Sequence, residues 1–221
     1  MTPHHYQPPQ QPLDILYCDD HLIVLNKPSG LLTVPGRLPE NRDSLLVRVQ
    51  QHYPSAQVVH RLDMDTSGVL VMALTAQAHR HLSRQFQERQ TDKLYYAWVW
   101  GCVSEESGEV DLPLICDWPN RPLQKVDFDH GKPSLTRWQN LGVSNGNTLM
   151  RLTPHTGRSH QLRVHMKAMG HPILGDSFYA HPRAKAAATQ LQLHAAELAF
   201  CYPDSHQPMR FTAEAPFALL S

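Results

Sequence analysis

HRLDMDTSGVLVMALT, residues 60–75, joins a polar loop to an apolar run, and the rest of the chain is read from that junction. Val69 to Leu74 carry no charge and favour branched and long aliphatic side chains, the pattern of a core strand covered on both faces. A strand of that kind anchors the loop ahead of it. That loop carries Asp63 two residues after Arg61, and a carboxylate held close to a core is costly unless it is paired or used. Asp63 is therefore a candidate for chemistry. Thr66, Ser67 and Gly68 form the turn into the strand and suit hydrogen bonding that supports the loop presenting Asp63. Ser67 stands in no GxSxG elbow, so a serine-hydrolase reading of Ser67 has no basis.

Working outward, ILYCDDHLIVLNK at 15–27 alternates into two strands around a Cys-Asp-Asp-His turn. DSLLVRVQQHY at 43–53 has helical apolar spacing behind Asp43 as a cap, and Thr75 caps a second helix, AQAHRHLSRQFQERQ, with Ala78, Leu82 and Phe86 on one face. KLYYAWVWG at 93–101 places Tyr95, Ala97 and Val99 on one side and Leu94, Tyr96, Trp98 and Trp100 on the other, so it predicts an inner strand. TRWQNLGV at 136–143 and NTLMRLTP at 147–154 form a hairpin around Ser-Asn-Gly. GRSHQLRVHMKAM, from Gly157, reads as a helix ending at Gly170. LQLHAAELAF and MRFTAEAP add two closing strands. Adjacent hairpins with a few helices indicate an α+β domain on a largely antiparallel sheet.

Composition narrows the function. MTPHHYQPPQQP, residues 1–12, is polar and rich in Pro and Gln, and reads as a mobile tail ahead of one domain over 13–221. No basic-then-apolar leader and no apolar run near the ~18 residues of a spanning helix is present, which places the protein in the cytoplasm away from membranes. Cys18, Cys102, Cys116 and Cys201 are scattered and read as free thiols. His155, His160 and His165 are five apart, which turns successive side chains about 140° on a helix, so they offer no shared metal site. No GxGxxG or GxxxxGK motif implies a nucleotide cofactor. The net charge of zero argues against bulk attraction to nucleic acid. Local patches point the other way: Arg151, Arg158, Arg163 and Lys167 lie in a stretch to His171 without one acid, and Arg80, Arg84, Arg89 and Lys93 form a second, diluted group.

HRLDMDTSG also resembles the active-site signature HRLDxxTSG of the pseudouridine synthases of the large-subunit ribosomal RNA type. Companion segments match in order: NKPSG at 26–30, KLYYAWVWG at 93–101, LTPHTGRSHQLRVH at 152–165, GHPILGDSFY at 170–179 and LHAAELAF at 193–200. DLPLICDWPNRPLQKV at 111–126 is similar to the small dual-specificity subgroup that modifies both large-subunit rRNA and tRNA. The resemblance implies a long, bent, mixed sheet in two halves around an active cleft. No appended RNA-binding module fits in the tail, so RNA contacts fall to the catalytic domain.

The resemblance further implies that Asp63, Tyr95 and Arg163 converge. Turning uridine into its C-glycoside breaks N1–C1′ and joins C5 to C1′, with no redox and no cofactor, and a carboxylate nucleophile suits that exchange. Arg163 would keep Asp63 ionised when water is expelled, through a two-point hydrogen bond that a lysine lacks. Tyr95 offers a ring for the target base and a phenol within reach of a proton. The reacting uridine must leave its stack. Arg61 would fill the space it vacates and His60 would contact phosphate, or else Arg61 is salt-bridged and His60 fastens the loop. Gly157 and Arg158 at a helix start would seat a phosphate, and Arg84 would reach another from its helix.

The reading is thus a monomeric, cofactor-free RNA pseudouridine synthase acting on a large-subunit rRNA hairpin and tRNA anticodon stem-loops. Its rivals are a glycosidase that uses Asp63, with Asp65 as the second carboxylate, and a non-catalytic RNA-binding or ribosome-assembly module.

Overall fold

The structure, a computed structural model, describes residues 6–219. In chain order the elements are β1 (Ile15–Cys18), β2 (Leu22–Lys27), α1 (Leu45–Gln50), β3 (Gln57–Val58), β4 (Ser67–Ala73), α2 (Ala76–Gln87), β5 (Asp92–Trp100), β6 (Ser107–Asp111), β7 (Leu114–Cys116), β8 (Gln124–Val126), β9 (Leu135–Ser144), β10 (Asn147–Pro154), α3 (Gln161–Ala168), α4 (Pro182–Ala186), β11 (Leu193–Cys201) and β12 (Pro208–Thr212). The class is α+β, rich in strands, as expected. The chain forms two compact units: one runs to Asp92 and takes in Ala195–Glu214, and the other is Lys93–His194 with the chain from Ala215 onward.

In the first unit β4 is the central strand, and all seven of its residues are buried. β2 pairs with it antiparallel from Leu22↔Ala73 to Lys27↔Gly68, β1 pairs with β2, and β11 on the other side of β4 carries β12. The β1–β2 turn is held by Asp19, whose Oδ1 accepts the amides of His21 and Leu22 while Oδ2 accepts the phenols of Tyr17 and Tyr202, each at 2.8 Å. Thr75 caps α2 through the Ala78 amide, and Ala78 and Leu82 pack on Leu22, Val24, Val69, Val71 and Leu198. The buried carboxamide of Gln85 donates to the Cys201 carbonyl and accepts its amide, both at 2.7 Å, locking helix to strand.

Two expectations shift here. The α1 cap is Ser44, whose hydroxyl accepts the Val47 amide, while Asp43 instead takes a two-point hydrogen bond from Arg48. The side chain nearer the helix start has the shorter reach to its amides. Tyr6–Pro12, placed in a mobile tail by composition, lies against this unit: the Tyr6 hydroxyl accepts the Leu32 amide and donates to the Asp43 carbonyl. Residues 1–5 of that tail lie outside the described residues.

In the second unit β5, β10, β9 and β6 form an antiparallel series. Asn145 and Gly146 both have positive φ, 51° and 72°, in the tight turn that joins β9 to β10. The far edge of β5 is also bonded: Trp98 donates to Gln192, Trp100 to Pro172, and Leu174 donates back to Trp98, so β5 is an inner strand. Ala97, Val99, Met150, Leu152, Leu162, Met166 and Ile173 make its core. β7 and β8 stand apart as a two-stranded sheet. α3 begins at Gln161 and not at Gly157, because His160 ahead of it takes a left-handed φ of 54° that no helix continues through.

Gly68 is a backbone position closed to a side chain. Its φ is +115°, and a Cβ there would lie 2.2 Å from the Ala195 carbonyl oxygen. At Gly146, where φ is +72°, a Cβ would meet nothing within 4 Å. Gly68→Ala is expected to lower stability by several kcal/mol or prevent folding, and Gly146→Ala by only about 1 kcal/mol, the cost of the left-handed backbone. Thermal denaturation of both variants checks this, and equal losses would show that β11 yields to the added methyl.

Candidate active site

The loop between β3 and β4 carries Asp63, and its backbone is tied at every carbonyl from Leu62 to Asp65. Thr33 Oγ1 donates to Leu62 O at 2.7 Å, the Thr66 amide to Asp63 O at 3.2 Å, the Gly30 amide to Met64 O at 2.9 Å, and Ser29 Oγ to Asp65 O at 2.7 Å. Lys27 completes the set. It is wholly buried, and its ammonium donates to the carbonyls of Pro28, Leu31 and Met64 at 2.9, 2.7 and 2.9 Å. An ammonium has three donors, and here each finds an oxygen. Burial pushes Lys27 down to about 7, while the charges of Asp65 and Asp63 favour its cation. Segment 26–30 thus holds a half-buried Asp63 on a loop with little freedom left.

Five other members of the signature take distinct places. Arg61 is exposed and forms no ion pair with any described residue, which leaves the salt-bridged alternative without a partner. His60 stacks on Phe86 with ring centroids 4.2 Å apart and accepts the Val71 amide through Nε2, so it fastens the loop to β4. The Thr66 hydroxyl is buried and meets no hydrogen-bond partner among the described residues, so the support expected from it comes from its amide instead. Ser67 and Gly68 open β4 and are buried. Arg84 is exposed on α2 and lies 3.6 Å from Glu88, a surface pair of little energetic weight.

In the second unit Arg163 sits inside α3, almost fully buried. Its Nε and Nη2 donate to the two oxygens of buried Asp176 at 2.8 and 2.7 Å. Asp176 Oδ1 also accepts the amides of Phe178 and Tyr179, and both of those rings lie within 5.2 Å of the guanidinium. The result is a cation fixed in orientation by a fork-shaped bond and two aromatic faces. Tyr95 is half-buried near the start of β5 and packs against the core of this unit. Arg158 is three residues ahead of α3: its amide donates to Gln161 Oε1 and its Nε to Pro133 O, so it secures the turn before the helix and does not open it. A buried network of Thr156, Gln161, Thr136 and His165 ties α3 to β9. Burial pushes the His165 imidazole below its ordinary value.

Asp127, Asp129 and His130 are the one group among the described residues whose potential ligand atoms lie within 4.8 Å of one another; Asp127 there accepts the amides of Asp129 and His130 and so makes a turn. Lys27 and Asp176 were not singled out from the sequence as site residues. The signals that carry them are the companion segments NKPSG and GHPILGDSFY, in which a lysine and an aspartate sit among residues that make turns.

Comparison with known proteins bears on the whole arrangement. Residues 21–168 match the family described as RNA pseudouridylate synthase. The dual-specificity RNA pseudouridine synthase RluA of Yersinia pestis is 59% identical over 204 residues, covering 92% of this chain and 99% of its own length. The protein of the same description from Escherichia coli (strain K12) is 58% identical over 215 residues, covering 96% of this chain and 98% of its own. Among solved structures, Human RNA Pseudouridylate Synthase Domain Containing 1 superposes with a TM-score of 0.79 at 28% identity, over 96% of this chain and 88% of that one. Because the match takes in the Asp63 loop with its Lys27 clamp and reaches through Arg163, the chain belongs to the RNA pseudouridylate synthase family.

Proposed function

We propose that the protein isomerises uridine to pseudouridine in structured RNA, with Asp63 as nucleophile, and that a large-subunit rRNA hairpin and tRNA anticodon stem-loops are its substrates. The observation that carries this reading is the Asp63 loop itself, whose carbonyls from Leu62 to Asp65 are each hydrogen-bonded. A nucleophile held that way keeps its geometry when substrate displaces water. The bond balance of the reaction needs no external electrons: Asp63 adds covalently to the nucleoside and is later released, N1–C1′ breaks and C5 bonds C1′, and the proton lost from C5 is matched by one taken up at N1.

Tyr95 stacks on the target uracil, and Arg163 supplies a fixed positive charge. Arg61, exposed beside the nucleophile, takes the place of the extruded base. Arg84 and Arg158 remain as candidate phosphate contacts, with Arg84 the more exposed, while His60 serves the loop. Residues 13–221 act as one catalytic domain, monomeric and cytoplasmic.

Asp63→Asn keeps shape and removes the charge, so it is expected to fold, to bind RNA and to form no pseudouridine, while Asp65→Ala stays active. Circular dichroism with a pseudouridine assay on a stem-loop RNA reads both. An active Asp63→Asn protein, or a folded but dead Asp65→Ala protein, would contradict the mechanism.

Lys27→Met fills a similar volume without a donor and leaves buried carbonyls unpaired, at roughly 1–3 kcal/mol for a lost partner. Turnover should drop with stability. The pH dependence has a definite sign. With Lys27 near 7 in the folded protein and 10.5 when unfolded, the unfolded chain holds more protons between those values. The contribution of Lys27 to wild-type stability therefore rises with pH across that window, and the rise is absent in Lys27→Met. Parallel pH profiles of the two proteins would mean that the folded amine stays charged throughout.

Thr66→Val removes a buried hydroxyl that has no partner, so stability should hold or increase. If that hydroxyl meets the bound nucleotide, kcat/KM falls by roughly tenfold, the weight of one hydrogen bond. Unchanged kinetics would remove Thr66 from the substrate site.

A further inference from the structure

Segment 111–126, which carries the likeness to the dual-specificity subgroup, builds an arm in the second unit. β7 and β8 pair from Leu114↔Val126 to Cys116↔Gln124, with a 3-10 turn at Trp118–Asn120 between them. The root is anchored: Leu114 is buried with Val164 of α3 and Tyr179, Leu123 and Val126 pack beside them, and the Gln124 amide donates to Tyr179 Oη at 2.9 Å. The turn is satisfied from within. Asp117 donates its amide to Leu123 O, Asn120 donates its amide to Asp117 O and its side chain to Asp117 Oδ2, and Leu123 donates to Asn120 O.

This rigid turn presents an indole to solvent. Trp118 is 64% exposed and Phe128, just past β8, is 76% exposed, the two largest values among the exposed large apolar side chains. The Arg121 guanidinium lies 4.5 Å from the centre of the Trp118 ring. Asp117 and Asp127 are engaged in making turns, Lys125 lies 3.4 Å from Asp127, and Asp129 beyond Phe128 is exposed.

We propose that the arm is an RNA contact, in which the Trp118–Arg121 pair is a stacking platform for an unpaired base of the substrate stem-loop. A single flat ring backed by a guanidinium, on an arm whose chain also carries Asn120, Gln124 and Lys125, matches a nucleobase and its phosphate more closely than it matches a protein partner, which needs a contiguous apolar patch. Unstacked loop bases seek such a face, and stacking tolerates differences in base identity, which suits an enzyme with more than one RNA substrate. The proposal rests on the RNA substrate assigned above and deepens it by naming the structural element that binds.

The test uses the full chain and a purified stem-loop RNA. Trp118→Ala should leave the circular dichroism and Tm unchanged, because the ring is exposed, and should weaken the RNA Kd and kcat/KM by roughly 5- to 100-fold. Trp118→Phe, which keeps a flat ring, should recover most of the loss, and Arg121→Ala should show a smaller defect. RNA carrying 5-iodouridine in its loop should photo-cross-link to the peptide containing Trp118. Wild-type Kd and kcat/KM in Trp118→Ala would overturn the proposal, as would an equal loss in Trp118→Phe. A wild-type protein that binds the RNA but makes no pseudouridine would sink the catalytic reading instead, and the Kd comparison would still decide the arm.

Discussion

The Lys27 ammonium, sealed from water among the carbonyls of Pro28, Leu31 and Met64, is the contact on which the Asp63 loop depends. A buried cation is costly, and this one is offset by three oxygens and by the nearby charges of Asp63 and Asp65. Met64 lies between the two aspartates, so the point of attachment is the peptide that separates Asp63 from Asp65. Without a donor at that position, the carbonyls of Pro28 and Leu31 would lose the ammonium, and that of Met64 would keep only the Gly30 amide.

Arg163, a second buried cation, follows the same logic with a carboxylate in place of carbonyls. A guanidinium inside a helix is tolerated because Asp176 meets it at two points and two aromatic rings cover its plane. Asp176 is in turn fixed by the amides of Phe178 and Tyr179. The positive charge is therefore aimed by backbone, through a carboxylate, and its position does not depend on a flexible stem. Both charged centres are held by turns, Pro28–Leu31 in one unit and Asp176–Tyr179 in the other.

Much of this was legible in the chain. The apolar run after Gly68 is β4, Thr75 caps α2, and the Asn-Gly pair turns β9 into β10, because each depends on neighbours in sequence. Contacts between distant positions were not. Gln85 and Cys201 lie 116 residues apart, and neither side chain hints at the other. Lysine is ordinarily a surface residue, so only the fold shows Lys27 buried. The start of α3 was misplaced since a histidine with positive φ carries no signature, and Tyr6 was assigned to a tail since Pro and Gln around it hide one specific phenol contact. For the site, motif and family likeness pointed to Asp63, Tyr95 and Arg163, while the groups that position them emerged only with coordinates.

The β7–β8 arm and the Asp63 loop differ in how far a change in them travels. Every carbonyl from Leu62 to Asp65 is in use, so almost any alteration of that loop is felt at Asp63. The turn at Asp117–Leu123 closes its hydrogen bonds upon itself and joins the remainder through a few apolar side chains and Tyr179. Substitutions at its tip stay local. On the reading proposed for the arm, exchanging a handful of surface residues there alters which RNAs are held and leaves the bonds of the Asp63 loop untouched.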